Sequence, residues 1–430
     1  MTISETQSSV AQADLLKETA ELWREVELAL NTTPAFDVHT HVFPPAFDGL
    51  FRSGIDELLT YHYLIAETFR STEVTPQQFW QMTRAEQADL VWKTLFVENT
   101  PLSEATRGIT SILDAFGLDP RSPDLREARD FFRSQDPAAH LDRVLDMACV
   151  ADVVMTNDPF DEDEARLWDA GPNGDSRFHA SLRLDGVLNE WPVAATKLEA
   201  QGFRVDSALE SSSAAEVRRF LDTWIKRMNP VYMAVSLPDD FRYPDNDARH
   251  RLISEVVLPT ASSHGLPLAL MVGVRRGVNP ALRSAGDGVG RADVSAIERL
   301  CADNSDVRFL ATFLSLENQH ELCVSARKFN NLMPFGCWWF LNNPSLVSSI
   351  TRERIELLGP SFIPQHSDAR VLEQLIYKWR HSRDVLVSVL FEAYERLLAS
   401  GRAVTREEVA RDVRRMFSGN FRSWAGIREL

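Results

Sequence analysis

The chain has 430 residues, 44% of them apolar and 25% charged, the balance of an ordinary globular protein with a large core rather than of a disordered, collagenous or coiled-coil chain. Lys and Arg number 46 against 62 Asp and Glu, and the net charge of −16 argues against non-specific binding to nucleic acid or to an anionic membrane. The length equals about three domains at roughly 150 residues each, yet one α/β barrel with insertions reaches it too.

The four cysteines, Cys149, Cys301, Cys323 and Cys337, are too few and too scattered for a disulfide framework. The first residues are polar and acidic, without the basic-then-apolar pattern of a secretion signal. No apolar run approaches the roughly 20 residues of a membrane span. A cytoplasmic location is expected.

Residues 1–33 are expected to form an N-terminal helical segment, with an amphipathic helix over 10–30 that puts Leu15, Leu16, Leu22, Val26 and Leu30 near one face. The first strand is predicted over 36–41. A mostly helical stretch follows, over 50–145. Within it Thr100, Pro101 and Gly117 read as the N-cap, first residue and stop of one helix.

From residue 148 the texture changes to short apolar runs separated by helical segments. The runs cover 149–155, 178–184, 231–237, 268–274, 309–314, 332–338 and 362–366. Together with 36–41 they make eight. Continuous apolar strands alternating with helices predict a parallel sheet buried on both faces. Eight of them predict an α/β fold of the closed (β/α)8 type over 34–430, with the helical insertion after the first strand and C-terminal helices over 371–430. Pro364 weakens the eighth strand. The glycine-rich stretch at 286–290 has neither dinucleotide-binding nor P-loop spacing and reads as an ordinary loop.

In such barrels chemistry sits where the strands end. His39 and His41 are two apart on the first strand, so their side chains share a face and can point at one metal ion. The last strand runs into His366-Ser367-Asp368-Ala369-Arg370, which closure of the barrel brings beside the first. Asp368 can therefore complete a site of two imidazoles and one carboxylate, suited to Zn²⁺ or a similar divalent ion. His366 reads equally as a ligand, a support or a packed ring. Arg183, Arg275 and Arg370 stand beyond strand ends, and guanidinium forks there suggest a carboxylate-bearing substrate. Trp338 and Trp339 could offer one face for a sugar, with at least one of them core.

In order along the chain, His39-Thr40-His41, Thr156-Asn157-Asp158-Pro159, Leu182-Arg183-Leu184-Asp185 and Gly273-Val274-Arg275 with Asn279 resemble segments of the uronate (glucuronate) isomerase family. So do Gly336-Cys337-Trp338-Trp339-Phe340, Ser367-Asp368-Ala369-Arg370 and Asn420-Phe421-Arg422. That family lies within the amidohydrolase superfamily of metal-dependent barrels. The resemblance spans about 34–424, and Tyr61-His62-Tyr63 resembles a His-bearing helix near the family's site. In one place the chain departs. Many members carry a His at the end of the fifth strand, where Met271 stands here, and this argues against a binuclear hydrolytic centre.

The resemblance implies an aldose–ketose isomerase of hexuronates, such as D-glucuronate to D-fructuronate, with D-galacturonate as the other candidate. It implies one divalent ion, zinc or alternatively manganese, on His39, His41 and Asp368, polarising the carbonyl and its neighbouring hydroxyl. Asp368 and His62 are the candidate bases for moving a proton between adjacent carbons. Arg183 and Arg370 would clamp the remote carboxylate, and Arg422 would approach the same pocket from the C-terminal tail. A homo-oligomer is expected, with no nucleic-acid or membrane partner. Two other readings stand beside it: a metal-dependent hydrolase or decarboxylase of a small carboxylate, and a barrel that binds a sugar acid without catalysis.

Overall fold

The structure, a computed structural model, describes residues 15–428 apart from 172, 173 and 210. Its centre is a parallel sheet of seven strands that pair in chain order. They are β1 (Ala35–Thr40), β2 (Val150–Asn157), β3 (Phe178–Arg183), β4 (Met233–Pro238), β5 (Leu268–Arg275), β6 (Phe309–Phe313) and β7 (Leu332–Pro334). Most of their residues are buried, as strands covered on both faces must be, and helices fill the connections. The sheet curls in the manner of a (β/α)8 barrel.

The predicted eighth strand is not a ladder strand. Pro364 has no N–H to give, and Asp368 takes a left-handed backbone with φ of 51°, so regular pairing cannot run through the segment. Separate hydrogen bonds staple it on both sides instead. Gly336 N–H donates to Ile363 O at 2.9 Å and Ile363 N–H to Pro334 O at 3.1 Å, which joins it to β7. Asp368 N–H donates to His39 O at 3.1 Å and His41 N–H to Ala369 O at 2.7 Å, which joins it to β1. Behind this seam the buried Asp37 carboxylate accepts from Ser367 N–H at 3.0 Å and from Trp379 Nε1 at 2.8 Å.

Phe36, Val38, Val154, Tyr232, Leu310 and Phe335 fill the barrel interior, and Phe421 of helix Asn420–Ala425 joins the same cluster. Helices of the insertion, from Ile55–Leu59 through Pro137–Ala148, pack with the long helix Gln374–Ala399 into a separate core. Two boundaries differ from the sequence reading. The N-terminal helix is Thr19–Thr32; Leu15 and Leu16 form a short strand paired with Val404 and Thr405, and residues 10–14 lie outside the described part. The helix signposted by Thr100 is Glu104–Ala115, because the Ser103 hydroxyl, not Thr100, accepts from Thr106 N–H. Gly117, with φ of 74°, follows it in the left-handed region where glycine is favoured. Among the described residues no helix is long and apolar enough to cross a membrane.

Candidate metal centre and substrate chamber

The register of β1 against β2 slips between Asp37 and Thr40. Phe36 and Val38 point into the barrel core, and past the slip His39 and His41 still turn to the barrel mouth. The stapled seam brings Asp368 against them. Its Oδ1 lies 3.6 Å from His39 Nε2 and 3.6 Å from His41 Nε2. These are too long for hydrogen bonds. They fit an ion between the three atoms, since ligands about 2.0–2.2 Å from a tetrahedral ion stand roughly 3.4 Å apart. Among the described residues, His39, His41 and Asp368 form the group that could hold a metal.

Electrostatics suits that use. Burial, reinforced by Arg183 and Arg370, pushes His39 down to about 3, so both its ring and the similarly lowered ring of His41 are neutral donors of a lone pair. Burial raises the Asp368 carboxyl to about 6, against the pull of Arg370 and Lys378. A divalent cation would draw it back down and hold the carboxylate ionised. Two neutral imidazoles and a carboxylate thus fit the zinc-type ion implied by the resemblance.

Asp368, His39 and His41 line a tight chamber of about 30 Å³, walled also by Thr156, Met271, Trp338 and Trp339 and by Arg183, Arg276 and Arg370. It shares Arg183, Asp185, Ser236 and Arg276 with an outer vestibule of about 560 Å³ that also carries Asp158, Lys197 and Arg249. Arg183 is braced by Asp185, with Nε to Oδ2 at 2.9 Å and Nη2 to Oδ1 at 3.0 Å. Buried polar atoms without a partner gather around this chamber: Arg370 Nε, Trp339 Nε1 and, on the helix behind, His62 Nε2. Such groups are costly to bury unsatisfied, so they are poised for a polar ligand.

Several predicted residues arrive here and others do not. Arg183, Arg370, Trp338 and Trp339 line the chamber, and both tryptophans are at the same time buried in the barrel-interior cluster. His62 adjoins the chamber without being one of its lining residues, its ring 5.6 Å from that of Trp339 and within electrostatic reach of His41. Burial, helped by Arg370, Lys378 and Arg276, keeps it uncharged. His366 is a packed ring, 5.2 Å from His39 and 5.4 Å from Phe335, and takes no place in the ligand set. Arg275 points away, its side chain largely exposed and its Nε 2.7 Å from Asp239 Oδ2. The cause is a bulge at Gly273, which has φ of 116° and shifts the register against β4. Past the bulge Val274 and Arg276 face the mouth in place of Arg275. Arg422 is at the other end of the barrel. It pairs with Asp152 near the start of β2 and lies over the Phe36 ring, and so it does not reach the chamber.

Sequence reasoning missed Arg276, because strict alternation cannot reveal a bulge, and Tyr232, because a tyrosine inside an apolar run reads as core. The Tyr232 hydroxyl stands 3.3 Å from His39 Nδ1.

A solved uronate isomerase of Bacillus halodurans C-125 superposes on the chain with a TM-score of 0.94 at 49% identity, covering 96% of this chain and 98% of its own. The chain belongs to the uronate isomerase family. Two more distant structures share the fold at a TM-score of 0.75 each. They are a uronate isomerase of Thermotoga maritima, 15% identical over 93% of this chain and 97% of its own, and a glucuronate isomerase of Caulobacter crescentus, 16% identical over 96% and 95%. No model of a protein family matches the chain, and no curated protein does.

Proposed function

We propose that this protein interconverts an aldohexuronate, D-glucuronate or D-galacturonate, and its ketohexuronate. The observation that carries the reading is a convergent His39–His41–Asp368 donor set lying under three guanidinium groups, Arg183, Arg276 and Arg370, in one chamber. One zinc ion is the proposed occupant, with manganese as the alternative. When bound, it supplies Lewis acidity at the substrate carbonyl and the hydroxyl beside it.

The arginines hold the remote carboxylate and thereby place the reacting carbons. Asp368, which lines the chamber, takes the proton from the carbon beside the carbonyl and returns it to the neighbouring carbon. His62, uncharged and with its ring against that of Trp339, is the other candidate for this transfer. Trp338, Trp339 and Met271 exclude water from the reacting end.

The reaction is tested by incubating the zinc-loaded protein with glucuronate and with galacturonate in deuterated water and following proton NMR. A new ketose, with or without deuterium beside its carbonyl, supports the reading. Cleavage of an amide, lactone or carboxyl group without any ketose overturns it.

A further inference from the structure

We infer that Tyr232 and Thr156 are positioning residues that together fix His39 in the tautomer carrying its proton on Nδ1, which leaves Nε2 bare for a divalent ion. The inference rests on His39 being a metal ligand, and it explains the threonine of the Thr156-Asn157-Asp158-Pro159 motif, which the chemistry above does not use.

The argument is one of counting protons. A neutral imidazole has one ring N–H and one bare nitrogen, and its neighbours decide which is which. His39 Nδ1 is flanked by two buried hydroxyls, Tyr232 at 3.3 Å and Thr156 at 3.4 Å. Each hydroxyl has one proton, and each has a better place for it. Tyr232 donates to Val38 O at 2.8 Å, and Thr156 donates to Thr40 O at 2.9 Å. A third hydroxyl that touches Tyr232, that of Ser181, donates to Met155 O at 2.7 Å. With all three protons spent on backbone carbonyls, Nδ1 faces lone pairs alone and must be the donor. The ring's single proton is then on Nδ1, and Nε2 presents its lone pair toward Asp368 and His41.

The carbonyls that take the Tyr232 and Thr156 protons belong to the two residues flanking His39 on β1, Val38 and Thr40. The strand that carries the ligand therefore also orients the groups that set its proton. Such hydrogen-bonded supports of a metal-bound histidine are worth about 10- to 100-fold in metal affinity.

The test has two readouts. In zinc-free, ¹⁵N-histidine-labelled protein, with the His39 signal identified by its loss in His39→Gln, the nitrogen shifts should report Nδ1–H; an Nε2–H pattern overturns the inference without any further variant. The second readout is the zinc dissociation constant, measured against a chelator of known affinity. Tyr232→Phe and Thr156→Val should each weaken zinc by a few-fold, since one acceptor remains. The double variant should lose about 10- to 100-fold. Thr156→Ser in the Tyr232→Phe background, which keeps a hydroxyl, should recover most of that loss. A double variant that binds zinc as tightly as the parent overturns the inference while leaving the metal site standing. Failure of the parent protein to bind zinc overturns both.

Discussion

A Cβ on Gly336 would stand 1.9 Å from Cδ2 of His366, closer than any two such carbons can come. Gly336 also has φ of 65°, a conformation that side chains other than glycine's rarely adopt. The residue thus lets the end of β7 pass directly over a buried imidazole and carry Trp338 and Trp339 to the chamber. Gly336→Ala should cost about 3 kcal/mol or more of stability through combined strain and overlap. Thermal unfolding measures it, and a melting temperature within a degree or two of the parent would remove the packing role given to His366.

Metal content is the most direct prediction. His39→Ala, His41→Ala and Asp368→Asn should each fall well below the one equivalent of divalent ion expected of the parent, because each removes a ligand from a three-ligand site. Elemental analysis after chelation and reloading decides it. Parental content in His39→Ala and His41→Ala together would move the site elsewhere.

The arginines offer a sharper contrast, since their sequence positions and their spatial positions disagree. Arg370→Met and Arg183→Met should lower kcat/KM on uronates by about 2 kcal/mol or more, the scale of a lost charge-assisted pair. Arg276→Met should also impair turnover, while Arg275→Met, altering an exposed pair with Asp239, should change it by little. Neutral aldoses should be very poor substrates of the parent protein. Equal turnover of glucose and glucuronate would exclude the clamp.

At the opposite end of the barrel, Arg422→Met should leave metal content and KM untouched. It breaks a half-buried pair with Asp152, an acid that also holds His179 at 2.8 Å, and strips a cation from the Phe36 ring. A loss of about 1–2 kcal/mol in denaturant unfolding is expected. A selective rise in KM at parental stability would return Arg422 to the substrate pocket.

The barrel was legible because its strands are continuous apolar runs at regular intervals, a pattern that burial on both faces imposes. The His39–His41 pair was legible because spacing by two on a strand fixes a common face, and Asp368 because a closed ring must return to its first strand. What failed to show did so for local reasons. Thr100 and Ser103 are both chemically fit to cap, and only the backbone path selects Ser103. Arg422 follows a familiar-looking Asn420-Phe421 pair, but Asn420 Nδ2 bonds Pro360 O and Phe362 O on the side of the segment away from Asp368, and this ties the tail to the floor. Tyr232 is read correctly as buried; its hydroxyl's partners lie 193 and 194 residues away along the chain, beyond any local pattern.

The bulge at Gly273 carries a lesson for transferring residue roles between relatives. Gly273-Val274-Arg275 invites an aligner to assign the substrate contact to the arginine inside the motif, whereas the backbone turns the next one to the chamber. Two homologues could share these three letters and differ in whether the strand bulges. They would then present opposite members of an Arg-Arg pair to the same ligand, with identical motifs and different electrostatics. At this site a gap of one residue in an alignment is a rotation of about half a turn in space, and a substitution scan that stops at the motif boundary would miss the group that matters.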